Sequence, residues 1–110
     1  MADIECLTAN DIDNSVGMAD GTPLAATNVV HDADNNVFIY LYCRNSQDTL
    51  TSFVYDTNKQ NWSGPNVLKY APQLDKSSGL SVVADPANGR NILYYLPAGD
   101  SSFLPWIHTY

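Results

Sequence analysis

Aromatic side chains are the residues of this sequence with the clearest capacity for binding chemistry. The chain has seven Tyr and two Trp, but only two His and two Cys, among its 110 residues. The apolar face of a sugar ring packs on an aromatic ring while its hydroxyls bond to polar groups, so these residues could form a shallow sugar site. Packing between strands is the competing interpretation, and it is favoured for most single aromatics. The aromatics in question are Tyr40, Tyr42, Tyr55, Trp62, Tyr94, Tyr95 and Trp106.

Catalysis is not indicated by the remaining polar residues. His31 and His108 could be imagined in a Ser-His-Asp arrangement, but the sequence contains no Gly-x-Ser-x-Gly nucleophile elbow. We therefore expect no enzyme activity; a hydrolase that depends on either histidine is the third-ranked alternative. No phosphate-binding glycine loop is present, and no cofactor is expected.

A calcium loop is suggested by the segment 32–36, which reads Asp-x-Asp-x-Asn. An EF-hand loop then requires Gly at its sixth position and Glu at its twelfth, where this chain has Val37 and Cys43. We therefore interpret the segment as a polar turn, and we expect no metal.

The charge balance excludes several classes of partner. Twelve acidic and five basic residues give a formal net charge of −7, which repels the phosphate backbone of nucleic acids. No apolar run approaches the ~20 residues of a membrane helix, and the N-terminus does not resemble a signal peptide. We expect a cytoplasmic protein in which Cys6 and Cys43 are free thiols rather than a disulfide.

An internal repeat organises the chain. The segments 28–42 and 81–95 align without a gap at an offset of 53 residues, and six positions are identical. A chance match would not keep register through two apolar runs and the turn between them, so we interpret the chain as two copies of one β-rich unit. The identical pairs are Val29/Val82, Val30/Val83, Asp32/Asp85, Asn35/Asn88, Ile39/Ile92 and Tyr42/Tyr95.

The residue pattern of each copy predicts an antiparallel meander of short strands separated by polar turns. The first copy continues over 59–68 into a turn and a fourth, outer strand. The expected inner strands are 24–31, 37–44 and 49–56 in the first copy and 79–84, 91–96 and 102–109 in the second. We treat 1–110 as one domain, with a first unit over 23–75 and an incomplete second unit over 76–110.

The fourth strand that the second unit lacks could come from residues 1–22. These residues would complete the second unit of the same chain or that of a neighbouring chain. Such units leave open sheet edges that ring closure would remove. The predicted fold is therefore all-β, with two four-stranded propeller blades per chain. Three chains would complete six blades and four would complete eight, and we favour the homotrimer.

At this level the repeat resembles the fucose-specific lectin family of fungi and its short two-repeat bacterial relatives, which form six-bladed propellers. The segments that carry the resemblance are Leu24–Asn28, Phe38–Tyr42, Leu50–Asp56 and Asn61–Gly64. The resemblance implies sugar binding through an Arg on the second strand, a Glu on the third and an aromatic platform. Here Tyr40 and Leu93 stand at the Arg position, and Ser52 and Pro105 stand at the Glu position.

The resulting hypothesis is a multivalent lectin that binds glycans or glycoproteins at shallow sites between blades. The alternative is a structural or protein-interaction propeller that has lost sugar binding, which the missing Arg–Glu pair favours. Arg44, just past the inner strand, is a further residue that could reach a ligand. The candidate sugar-binding residues are Tyr40, Arg44, Ser52, Tyr55, Trp62, Tyr94 and Trp106.

Overall fold

The computed structural model describes residues 18–31, 35–99 and 103–110, and this part of the chain is all-β. Two antiparallel sheets follow each other along the sequence, with a single turn of 3-10 helix at Pro86–Asn88. The prediction of an all-β chain built of antiparallel meanders is thereby confirmed. The strands are β1 (Leu24–His31), β2 (Asn36–Arg44), β3 (Leu50–Asp56), β4 (Asn61–Val67), β5 (Leu80–Asp85), β6 (Arg90–Tyr95) and β7 (Leu104–Thr109).

The first sheet has the strand order β1-β2-β3-β4, so the outer strand expected after the first copy is present. Its turns use residues that accept a left-handed backbone, with Asp48 at φ 63° and Gln60 at φ 57°. The side-chain oxygen of Asn45 accepts hydrogen bonds from the backbone N–H groups of Gln47 and Thr49, which fixes the turn between β2 and β3. A register shift between Ser52 and Val54 bends the outer edge of this sheet.

The second sheet has the order β5-β6-β7 among the described residues. The turn between β5 and β6 ends at Gly89, whose left-handed φ of 63° suits a residue without a Cβ. Across the hairpin, the Arg90 Nε lies 2.8 Å from the Asp85 carboxylate. This ion pair closes the β5–β6 turn, which in sequence is the counterpart of the 32–36 segment.

The two sheets pack face to face around one apolar core. Strand β1 lies against β5, and the buried side chains of the seam come from both sheets, with Tyr42 and Leu93 at 0% exposure. The Tyr42 hydroxyl accepts a hydrogen bond from Asn91 Nδ2 at 2.8 Å and lies 2.7 Å from His108 Nδ1. The buried members of this core are Val29, Tyr40, Tyr42, Leu50, Ala71, Leu74, Leu93 and Tyr95.

The turns of the two hairpins align at a different offset from the one that sequence identity suggests. The last paired residues are His31–Asn36 in the first hairpin and Asp85–Arg90 in the second, which are 54 residues apart. The left-handed residues Asn35 and Gly89 show the same spacing. A shift of one residue moves a strand's side chains to the opposite face, so the structural counterpart of Tyr40 is Tyr94.

Parts of the sequence interpretation lie outside the described residues. These are the N-terminal segment up to residue 17, which includes Cys6, and the acidic positions Asp32 and Asp34 of the calcium-like turn. Among the residues that are described, no helix has the length and apolar character of a membrane span.

Removal of the Tyr42 hydroxyl should lower the stability of the fold. Tyr42→Phe keeps the ring but leaves Asn91 Nδ2 and His108 Nδ1 without this partner, so we expect the free energy of unfolding to fall by about 1–3 kcal/mol. Equilibrium urea denaturation measures it. The control is Tyr70→Phe, because Tyr70 is 83% exposed and should change stability by less than about 0.5 kcal/mol. Equal effects of the two substitutions would contradict this role of the Tyr42 hydroxyl.

Candidate functional site

A groove lies between the end of the first sheet and the last strand of the second. It has a volume of about 210 Å³. One wall is the end of β4 with the segment after it, residues 67–71, and the other is β7, residues 106–109. The lining side chains with aromatic rings or polar groups are Lys69, Tyr70, Trp106, His108 and Thr109.

Two aromatic rings lie on opposite walls of the groove. Trp106 on β7 is half-buried, while Tyr70 on the opposite wall is 83% exposed. The Lys69 ammonium lies 5.5 Å from the centre of the Tyr70 ring, within the range of a cation–π contact. An exposed ring on one wall and a half-buried ring on the other can contact the apolar face of a small ligand.

A cluster of aromatic rings supports the β7 wall from behind. The ring centres of Tyr42 and His108 are 5.7 Å apart in an edge-to-face arrangement, and Tyr40 contacts His108 in the same way at 6.4 Å. The Tyr40 ring also stacks on Tyr110 at 4.9 Å. These contacts hold the imidazole of His108 in place on the groove wall.

The hydrogen bonds around Tyr42 connect it to His108 and Asn91. Asn91 donates to the Tyr42 oxygen, and the Tyr42 hydroxyl can in turn donate its proton to His108 Nδ1. In that arrangement neutral His108 carries its own proton on Nε2. Burial lowers the pKa of His108 and thereby favours the same neutral form. The pKa of Tyr42 is raised, first of all by burial, so its hydroxyl keeps its proton.

Of the seven residues suggested by the sequence, Trp106 lines the groove and Tyr40 lies next to it. Tyr40 is 6% exposed, and its contacts are to the aromatic rings behind β7. Burial, with a contribution from Tyr110, raises its pKa. The structure therefore gives Tyr40 a supporting position and Trp106 a lining position.

Tyr55 and Trp62 form a separate pair on the other face of the first sheet. They are cross-strand partners of β3 and β4, and their ring centres lie 5.1 Å apart. Tyr55 is buried, while Trp62 is half-buried and packs against the second apolar cluster, which contains Cys43 and Phe53. The Cys43 thiol is free and buried, and burial raises its pKa to about 11.

Arg44 and Ser52 lie at the buried end of the first sheet. The Arg44 guanidinium bonds to the Asp48 carboxylate at 2.7 Å and to the Asp20 carbonyl at 3.3 Å. Ser52 is 1% exposed, and its hydroxyl has no hydrogen-bond partner within the structure. Neither side chain reaches the groove lining, and Arg44 has the contacts of a residue that anchors the chain around Asp20.

Tyr94 lies on the opposite face of the second sheet from Trp106. Its neighbours across the strands are Ser81 and Pro105, and 42% of its surface is exposed. Tyr94 does not line the groove; its face of the sheet reaches the groove at the edge strand β7, where Ile107 and Thr109 line it.

The groove residues that the sequence reasoning missed are Lys69, Tyr70 and Thr109. Lys69 and Tyr70 lie outside the aligned parts of the repeat, so comparison of the two copies gave no signal for them; Thr109 ends the third strand of the second copy and was not singled out. The exposed pair Lys69-Tyr70, which directly follows the outer strand, was the available indication. Among the described residues, no group of three or more His, Cys, Asp or Glu side chains could hold a metal ion.

Comparison with known proteins gives one partial likeness. The wall-associated proteinase of Coccidioides immitis (strain RS) is 29% identical over 99 residues. The aligned region covers 87% of this chain but 31% of that protein, so the chain spans about a third of its relative's length. No family model matches the chain, and no solved structure matches it significantly.

The buried imidazole predicts a pH-dependent stability. A lowered pKa in the folded state means that the unfolded chain binds the proton more readily. The stability contributed by neutral His108 is therefore complete above its ordinary pKa of 6.5 and decreases as the pH falls through 6.5 toward the lowered value. The lowered pKa values of Asp56, Asp75 and Asp85 act in a separate window, below their ordinary value of 3.8.

Urea unfolding of the wild type and His108→Gln between pH 5 and pH 8 isolates this contribution. We expect the difference in unfolding free energy between the two proteins to shrink as the pH is lowered. A difference that is constant with pH would show that His108 is not buried in its neutral form.

Proposed function

We propose that this chain is a carbohydrate-binding protein that holds a glycan in the groove between its two sheets and performs no catalysis. The observation that carries the proposal is the pairing of Trp106 and Tyr70 on opposite walls of one shallow groove. Aromatic walls with a few convergent polar groups are the usual composition of a sugar site.

The polar groups of the groove suit an uncharged ligand. With Nδ1 bonded to Tyr42, His108 offers an Nε2–H donor, and Thr109 offers a hydroxyl that can donate and accept. Lys69 adds an ammonium donor on the facing wall. Sugar hydroxyls both donate and accept, so this mixture matches them, whereas the net charge of −7 disfavours polyanions.

The groove supports a sugar site of a different design from the one implied by the lectin resemblance. The Arg and Glu positions of that family fall on Tyr40 and Ser52 in the first copy, and both are buried. Binding would instead rest on aromatic stacking and on the donors of β7 and the 67–71 segment.

The architecture that we propose is a pair of propeller blades within a six-bladed ring formed by three copies. Each sheet is an antiparallel meander, and the first strands of the two sheets lie side by side, as the inner strands of adjacent blades do. A ring repeats the groove and gives avidity to weak single sites.

The second candidate function is a protein-interaction module without sugar binding. The observation that favours it is the exposed apolar face of the second sheet, where Val83, Tyr94 and Ile107 are 42–55% exposed. Saturable capture of one protein partner, together with no response on a glycan array, would select this candidate over the first.

The name of the relative raises proteolysis as a further function, which we do not propose for this chain. His108 is bonded to a tyrosine hydroxyl rather than to a serine or a carboxylate, so it lacks the partners of a hydrolase triad. The aligned region is also a minor part of that protein.

Trp106 provides the test of the proposed site. A glycan array first identifies a ligand, and titration calorimetry then measures its affinity. We expect Trp106→Ala to weaken binding at least tenfold, which corresponds to about 1.4 kcal/mol. The matched control is Trp62→Ala, which removes the same side chain outside the groove and should leave the affinity within about twofold. A well-folded protein that binds no glycan on the array would refute the proposal.

A further inference from the structure

The face of the second sheet that points away from the shared core presents a row of apolar side chains to solvent. Val83, Ile92 and Ile107 are paired across β5, β6 and β7, and Tyr94 lies in the next row. Val83 is 55% exposed and Ile107 is 46% exposed, while Ile92 is half-buried. Monomeric proteins seldom leave a contiguous apolar patch of this kind uncovered. We call these four residues the receiving face.

The first sheet shows what covers the equivalent surface. At the 54-residue spacing of the turns, the counterparts of Val83, Ile92 and Tyr94 are Val29, Phe38 and Tyr40. Val29 and Tyr40 are 3% and 6% exposed, because the second sheet lies on them. Within one chain, the face of the first sheet that corresponds to the receiving face is therefore buried by the second sheet.

The side chains with which the second sheet covers that face also have counterparts. The second sheet contributes Leu80, Val82, Ala84 and Leu93 to the shared core. The residues 54 positions earlier are Ala26, Asn28, Val30 and Ile39, which share the outer face of the first sheet. Of these, Ala26, Asn28 and Val30 are exposed and Ile39 is half-buried. We call these four residues the docking face.

We propose that the docking face of a second copy of this chain covers the receiving face, in the same arrangement as the two sheets within one chain. This inference rests on the proposed ring of blades and identifies the surfaces that would join its members. The four residues that define each face are uncharged, although the chain carries seventeen charged residues. The Asp85–Arg90 ion pair lies in the row next to Val83 and Ile92 on the same sheet face, at its turn end, so the contact avoids desolvation of ions only where that pair stays at the edge of the buried area.

The contact is head-to-tail, because two different surfaces meet. A head-to-tail contact repeats until it closes into a ring, whereas a two-fold contact stops at a dimer. Repetition of the same blade-to-blade step through three chains gives the six-bladed ring, and every chain then has both faces covered.

Substitutions on the two faces test this arrangement by a mixing experiment. Val83→Lys disables the receiving face and Val30→Lys disables the docking face; both positions are exposed, so both variants should fold. Sedimentation and light scattering should give three times the chain mass of 12.1 kDa for the wild type and one chain mass for each variant. A mixture of the two variants should form a dimer, because each chain retains the face that the other lacks.

Ala87→Lys is the matched control, since it adds the same charge in the exposed Pro86–Asn88 turn outside both faces, and it should assemble like the wild type. Tyr94→Glu and Asn28→Lys form a second pair of variants for the same mixing test. A monomeric wild type, variants that assemble normally, or a mixture that stays monomeric would overturn the proposal. These masses are measured without a glycan, so a failure to bind sugar leaves this test intact.

Discussion

The Tyr42 hydroxyl joins the two sheets at the centre of their shared core, and the groove depends on that bond. It accepts from Asn91 on β6 and bonds to His108 on β7, so one side chain of the first sheet fixes two strands of the second. Burial of these polar groups is favourable only while they remain bonded to each other. The position of β7, and with it the indole of Trp106, follows from this contact.

The residues that pack behind the groove differ from the residues that line it. Tyr40, Tyr42 and Tyr110 pack behind the groove, whereas Trp106 and Thr109 line it. His108 belongs to both groups, because one ring nitrogen is held by the core while the imidazole forms part of the wall.

Strand positions could be predicted from the sequence, because alternating apolar residues and turn residues bound each strand. The segment 24–31 agrees with β1 at both ends, and the others agree within two residues. The facing of the side chains could not be predicted equally well. Identity aligned Tyr42 with Tyr95 at an offset of 53, whereas the turns that end at Asn35 and Gly89 differ by 54. A single residue of offset exchanges the faces of a strand.

Nuclear magnetic resonance of the two tryptophan indoles can show whether a bound glycan contacts Trp106. The chain has two Trp residues, so the ¹⁵N-labelled protein gives two indole signals, which Trp106→Ala and Trp62→Ala assign. During titration with the glycan that binds most tightly on the array, we expect the chemical shift of the Trp106 indole to change together with those of the backbone amides of residues 67–71. A response confined to Trp62, or no response of either indole to any bound glycan, would contradict it.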